Sequence, residues 1–311
     1  MIRRQAPDEN PRRPKHHLRL LLVAGVALVG CHPGNAEAKR LRDACEAGTS
    51  AACNQLALKL QKGEYVLRDD GRAATLFGQA CDSGVGEGCT SLGVAYQKGT
   101  GVKRDSLRAS TLFRTACDRG AMEGCTRLGV LVRLGSGTTQ DASRAATLFQ
   151  QACDGGDLWG CAQLASLYAA GEGVGEDLPR ALSLFQRSCA AKVALGCLGL
   201  GRQYSAGAGV LRNDSTAAEL FKQACEGGEA AGCFHRAAVY EAGLGVTQRF
   251  DSAATLYREA CDDRHGEACA RLAGMYDRGM GVRRQPDRAK EFRKRACDAG
   301  YSESCEKAKG A

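Results

Sequence analysis

A pair of cysteines eight positions apart recurs every 36 residues along this chain. The first of the pair stands at Cys45, Cys81, Cys117, Cys153, Cys189, Cys225, Cys261 and Cys297, and the second at Cys53, Cys89, Cys125, Cys161, Cys197, Cys233, Cys269 and Cys305. Sixteen of the 17 cysteines are used in this way, which leaves Cys31 over. A period of this length with no drift is the signature of a repeat protein, in which each unit buries its apolar face against its neighbours and no single thick core forms. Composition agrees, since aromatic residues are only 5% of the 311 while glycine reaches 40.

On one continuous helix, eight residues span about 12 Å, whereas a disulfide needs Cα atoms within about 7 Å. Each pair can therefore be bridged only where the chain reverses between its members. The stretch ACDSGVGEGC, Ala80 to Cys89, suits a reversal, because Gly84 falls three residues after Cys81, where a left-handed helix stop is expected. Gly48, Gly120, Gly156, Gly228 and Gly300 hold the same place, and Lys192 and Arg264 depart from it. The reading is helix, tight turn, helix, with bridges Cys45–Cys53, Cys81–Cys89, Cys117–Cys125, Cys153–Cys161, Cys189–Cys197, Cys225–Cys233, Cys261–Cys269 and Cys297–Cys305 across the turns. Metal binding is the competing use of paired cysteines. Zinc takes four ligands, commonly in closer pairs, and the repeats hold only two histidines, His235 and His265. No metal and no cofactor is expected.

Positions are counted here from the first cysteine of a unit. Leu56, Leu92, Leu128, Leu164, Leu200 and Leu272 stand at +11, and Tyr96, Tyr168, Tyr204, Tyr240 and Tyr276 at +15. With the second cysteine at +8 they form one stripe of a helix, A. Glycine fills +18 in every unit, from Gly63 to Gly279, and +20 in six of seven, so helix A ends in a GxGV turn. Asp105, Asp141 and Asp177 then stand where a cap starts the next helix, B. Helix B carries Ala at +28 throughout, Leu at +31 and Phe or Tyr at +32 in six units, a second apolar stripe. Alanine in all seven units implies a crossing point where nothing larger fits, so Ala145→Leu is expected to overpack it.

The pattern CxxLGxxY…GxGVxxD…AxxLFxxAC, as in CTSLGVAYQKGTGVKRDSLRASTLFRTAC from Cys89 to Cys117, resembles the Sel-one-like repeat (SLR) family, a relative of the tetratricopeptide repeats. The C-x7-C pair is similar in particular to its cysteine-rich secreted branch. The resemblance spans about residues 37–309 and implies an all-α, right-handed α-solenoid of antiparallel helix pairs. Seven A–B pairs fit between Cys45 and Cys297, with a lone B-type helix near 37–47 and a short A-type helix near 301–309 at the ends. The solenoid is assigned to 37–311.

Residues 1–30 read as an export signal. Six basic residues, Arg3 to Arg19, precede an apolar run, Leu20 to Gly30, which is too short to span a bilayer. The run ends in LVGC, which resembles a bacterial lipobox with Cys31 as the acylated residue; residues 31–36 would then be a short linker. That assigns an exported, lipid-anchored chain, on an outer membrane facing the periplasm or on the cell surface, and His32 after the cysteine favours the outer membrane. Net charge is +8 overall, but residues 1–30 contribute +4 of it, leaving 37 basic and 33 acidic residues in the remainder. Such a mixed surface gives no reason to expect nucleic acid as a partner.

Solenoids of this kind present a long concave surface lined by the A helices, so the expected function is that of an adaptor binding a protein or peptide of the cell envelope. The +6 position varies most tellingly, and Trp159 and Leu195, in adjacent units, are candidates for a small apolar contact site. Two other classes compete. Members of the cysteine-rich branch are described as penicillin-binding proteins or weak β-lactamases, but the only SxxK is Ser304 to Lys307, and neither SDN nor KTG accompanies it. No catalytic residue is therefore assigned. A passive, anchored spacer is the third reading.

Overall fold

The computed structural model describes residues 33–309. Every element among them is a helix, sixteen in all, and they divide into two compact units. The unit ending at Arg104 holds α1 (Pro33–Glu46), α2 (Ser50–Lys62), α3 (Asp70–Asp82) and α4 (Gly86–Lys98). The unit beginning at Asp105 holds α5 (Ser106–Asp118), α6 (Met122–Leu134), α7 (Ala142–Asp154), α8 (Leu158–Ala170), α9 (Leu178–Ala190) and α10 (Ala194–Ala206). It continues with α11 (Asp214–Glu226), α12 (Ala230–Ala242), α13 (Phe250–Asp262), α14 (Gly266–Arg278), α15 (Pro286–Asp298) and α16 (Ser302–Lys309). Within each unit every helix packs on the next, the helix-pair stacking of an α-solenoid.

Helix α1 begins at Pro33, inside the stretch 31–36 expected to be linker. Proline is well suited to the first helical position, because its missing N–H would have no intrahelical partner there. Cys31 and the segment read as a signal lie outside the described residues.

All eight cysteine pairs are bridged across the B-to-A turns, with Cα atoms 4.4–4.8 Å apart. The turn is a Schellman stop. The Gly84 N–H donates to the Cys81 carbonyl at 2.9 Å and the Val85 N–H to the Ala80 carbonyl at 3.0 Å. Gly84 sits at φ +96°, in the left-handed region. Lys192 and Arg264 adopt the same conformation, at φ +61° and +65°, and make the same two bonds, so the motif survives the loss of glycine. Both side chains are exposed and carry the left-handed cost that glycine avoids. Lys192→Gly and Arg264→Gly are each expected to stabilise the protein by about 0.5–1 kcal/mol, seen as a higher midpoint in chemical denaturation. A lower midpoint for either would mean that its side chain contributes more than its backbone costs.

The A-to-B turn explains the second glycine. At Gly137 an added Cβ would lie 2.2 Å from the Ser106 carbonyl oxygen, and at Gly173 2.3 Å from the Ala142 carbonyl carbon. The turn of one repeat thus lies directly on the start of helix B in the repeat before it. Ser143 Oγ donates across the same junction to the Gly173 carbonyl at 2.9 Å, and Ser215 Oγ to Gly245 at 3.2 Å. Tyr65 occupies this position in the first repeat, left-handed at φ +60°, with its ring against Gly34 of α1. Asp105, Asp141 and Asp177 cap helices B as the spacing predicts, each accepting from the backbone N–H three residues on.

The helix B stripe is the core. Ala109, Ala145, Ala181, Ala253 and Ala289 are fully buried, as are Phe77, Phe113 and Phe149. Ala145→Leu is expected to cost about 1–3 kcal/mol through overpacking; a melting temperature equal to that of the parent would count against this register.

Candidate interaction surface

Neighbouring A helices touch at several places within the units, as α6 does α8 and α8 does α10. Their +11 and +15 residues and the cysteines face helix B, which leaves +6, +10, +13 and +17 to differ between repeats. Trp159, at the N-terminus of α8, is half-buried. The Arg127 guanidinium of α6 lies 5.4 Å from its ring centroid, and Arg127 Nε donates to Glu123 at 2.7 Å. The tryptophan is thus covered by a cation held in place by a carboxylate. Leu195 is placed differently. It lines a cleft of ≈ 290 Å³ between α8 and α10, and Trp159 is not among the lining residues. The structure gives each of the two its own neighbours.

The cleft exists because side chains are missing. At +17 stand Ala170 and Ala206, and Ala242 one repeat on, where the remaining repeats have Lys62, Lys98, Leu134 or Arg278. At +10 stands Gly199, where others have Gln55, Arg127, Gln163, His235 or Arg271. A Cβ on Gly199 would come within 2.2 Å of the Phe185 ring, so the ring of α9 forms the floor where a side chain would otherwise lie. Leu195 and Leu198 supply apolar walls.

One amide in this apolar setting has no counterpart in the other repeats. Gln203 lines the cleft and is 4% exposed, and neither its Oε1 nor its Nε2 has a hydrogen-bond partner among the described residues. The +14 column reads Lys59, Ala95, Leu131, Leu167, Gln203, Val239 and Met275. An amide in a column otherwise mostly apolar is a signal that sequence reasoning confined to the shared pattern passes over.

Beside the cleft, Arg202 Nε donates to His235 Nε2 at 3.0 Å, which fixes His235 as the neutral ring protonated on Nδ1. His235 stacks on Phe221, with centroids 4.9 Å apart, and Phe234 stacks on His265 at 4.6 Å. Burial, then the positive charge of Arg202, then His265, push the His235 pKa down from 6.5 to about 4. The fold therefore prefers the uncharged ring. Its contribution is complete above pH 6.5 and is lost as pH falls toward about 4, because the unfolded chain takes up the proton first. The melting temperature is expected to drop across this window, and His235→Phe, which keeps the stack, to flatten that drop. An unaltered slope in the variant would show that other groups carry the dependence.

Cys225 and Cys233 lie close to Glu259, but the two sulfurs are bonded to each other, so they offer no thiolate to a metal. Ser304 of the SxxK stretch is 4% exposed. No helix among the described residues is long and apolar enough to cross a membrane. Eight bridges of this kind persist in an oxidising compartment, as in exported proteins.

Seven consecutive segments, 50–85, 86–120, 123–157, 160–193, 194–229, 230–265 and 266–301, match the Sel1 repeat. Among solved structures, a protective antigen present in uropathogenic Escherichia coli strains and displaying an SLR fold is 28% identical, with a TM-score of 0.56. The match covers 86% of this chain and 58% of that one, so the chain spans little more than half of that relative. A Sel1 repeat protein from Oxalobacter formigenes is 24% identical, with a TM-score of 0.60 and coverage of 88% and 79%, and shares the fold. No curated protein matches. With the repeat matched seven times in phase over most of its length, the chain belongs to the Sel1-repeat family.

Proposed function

We propose that this protein is an exported, lipid-anchored scaffold that binds a polypeptide partner of the cell envelope along the face lined by its A helices. Sel1-repeat proteins are generally protein–protein interaction scaffolds. The observation that carries the reading is the open cleft between α8 and α10, at positions where most other repeats carry larger side chains. The shared positions of the repeat serve turns, bridges and packing, and the A helices differ between repeats at +6, +10, +13 and +17. The protective-antigen description of the Escherichia coli relative suits an exported chain, and Cys31 is the residue for the anchor.

The test is affinity capture from detergent-solubilised envelopes of the native host, using the oxidised protein. A scaffold retains a partner in stoichiometric amount, and a passive spacer retains none. Cys31→Ser, followed by metabolic labelling with an alkyne fatty acid, tests the anchor; label retained by that variant would exclude this residue.

A further inference from the structure

The cleft between α8 and α10 is mostly apolar, yet Gln203 lines it with a buried carboxamide whose two ends have no partner among the described residues. That carboxamide meets an occupant by a turn of its side chain into the cleft. A buried amide is ordinarily paired, because losing water without gaining a partner is unfavourable. At ≈ 290 Å³ the space is far larger than the roughly 10–15 Å³ that one water needs. Its occupant must satisfy three conditions. It must bring an apolar body to Phe185, Leu195 and Leu198. It must present a donor and an acceptor side by side to Gln203, which the N–H and C=O of one residue in extended backbone do and a carboxylate or an ammonium does not. It must also suit the Arg202 guanidinium, which is exposed, oriented by His235 and paired with no carboxylate among the described residues.

We propose that this cleft is a subsite for one aliphatic or aromatic side chain of an extended polypeptide, in which the N–H and C=O of a single residue complete the hydrogen bonds of Gln203 and an adjacent acidic residue meets Arg202. The inference rests on the reading of the A-helix face as a polypeptide-binding surface, and it adds which residue chemistry is read and where. Ala170, Gly199 and Ala206 are specificity residues through what they lack. Ser166, also lining the cleft, has its hydroxyl turned back to the Ala162 carbonyl at 3.0 Å, and so adds little polarity to the wall.

The experiment pans a phage library of random heptapeptides against the oxidised full chain and measures capped synthetic peptides by calorimetry. An acidic residue next to Leu, Met or Phe is expected to be enriched. Gln203→Leu should weaken the selected peptide at least about tenfold, and Ala170→Leu, which fills the cleft, should abolish binding. Leucine already stands at the matching positions, as Leu131, Leu167 and Leu134, so both variants retain the repeat pattern, and unchanged far-ultraviolet circular dichroism confirms that they fold. No enrichment, or peptides that bind both variants as tightly as the parent, would overturn the proposal and leave Gln203 with water alone. An envelope partner that both variants retain would remove this subsite while leaving the scaffold reading intact. Peptides captured at the cleft with no envelope partner for the parent would instead remove the scaffold reading.

Discussion

Reduction of the eight bridges is expected to unfold this protein at temperatures that the oxidised form survives. Each bridge closes a loop between residues eight apart, which in the chain-entropy model removes about 2.5 kcal/mol of freedom from the unfolded state. These contributions do not simply add, yet a folded domain is stable by only about 5–15 kcal/mol. Losing even half of eight such constraints would consume that margin. Position sharpens the effect. The bridges lie in every turn that joins one repeat to the next, and an array of this kind is stable only through nearest-neighbour contacts. Low aromatic content leaves each interface thin, as Ala80, Ala116, Ala152 and Ala224 pack directly on Gly88, Gly124, Gly160 and Gly232 across the bridged turns. Thermal melts followed by circular dichroism, with and without a phosphine reductant, measure the effect. A shift of only a few degrees would show that packing alone holds the array. Non-reducing intact mass gives the covalent check, since eight bridges remove about 16 Da relative to the thiol form, and crosslinks between distant units would contradict the pairing.

Much of this architecture is legible in the sequence because a repeat states each requirement seven times. The alanine at +28, the aromatic at +32 and the acidic cap could be read by column, and the structure buries or bonds them accordingly. What the columns cannot state is the reason for a residue. The glycine at +20 reads as a turn residue, but its necessity comes from the backbone of the preceding repeat, which no spacing reveals. Lys192 and Arg264 read as breaks in the pattern, whereas the backbone there is unaltered and the side chains carry the strain. The interaction surface was harder still. Trp159 drew attention by its size, and Arg127 covers it. The cleft is made by absences, Ala170, Gly199 and Ala206, which leave no motif, and Gln203 is, with Lys59, one of two departures from an apolar column. Shared pattern specifies the scaffold; departures from it mark the site.

Phe149→Ala is expected to be the costliest single truncation in the second unit, at about 3–5 kcal/mol. The ring is fully buried and rests on Gly129 of α6, where an added Cβ would fall 2.6 Å from its Cε1. A glycine cannot move into the space that the ring leaves, so the vacated volume persists as a cavity and the lost contacts are not replaced. Phe221 sits on Gly201 in the same way, with a Cβ there 2.8 Å from its Cε1, and its truncation should cost about as much. Phe185 is the informative contrast. It is also buried, at 3% exposure, but it floors the cleft between α8 and α10. Its removal enlarges a space already open to solvent, so the cavity contribution shrinks and the loss should fall to the lower end of the range or below it. Denaturant midpoints of the three alanine variants decide the matter. Equal losses at Phe149, Phe221 and Phe185 would mean that the cleft is closed in solution, and the site inferred there would have no entrance.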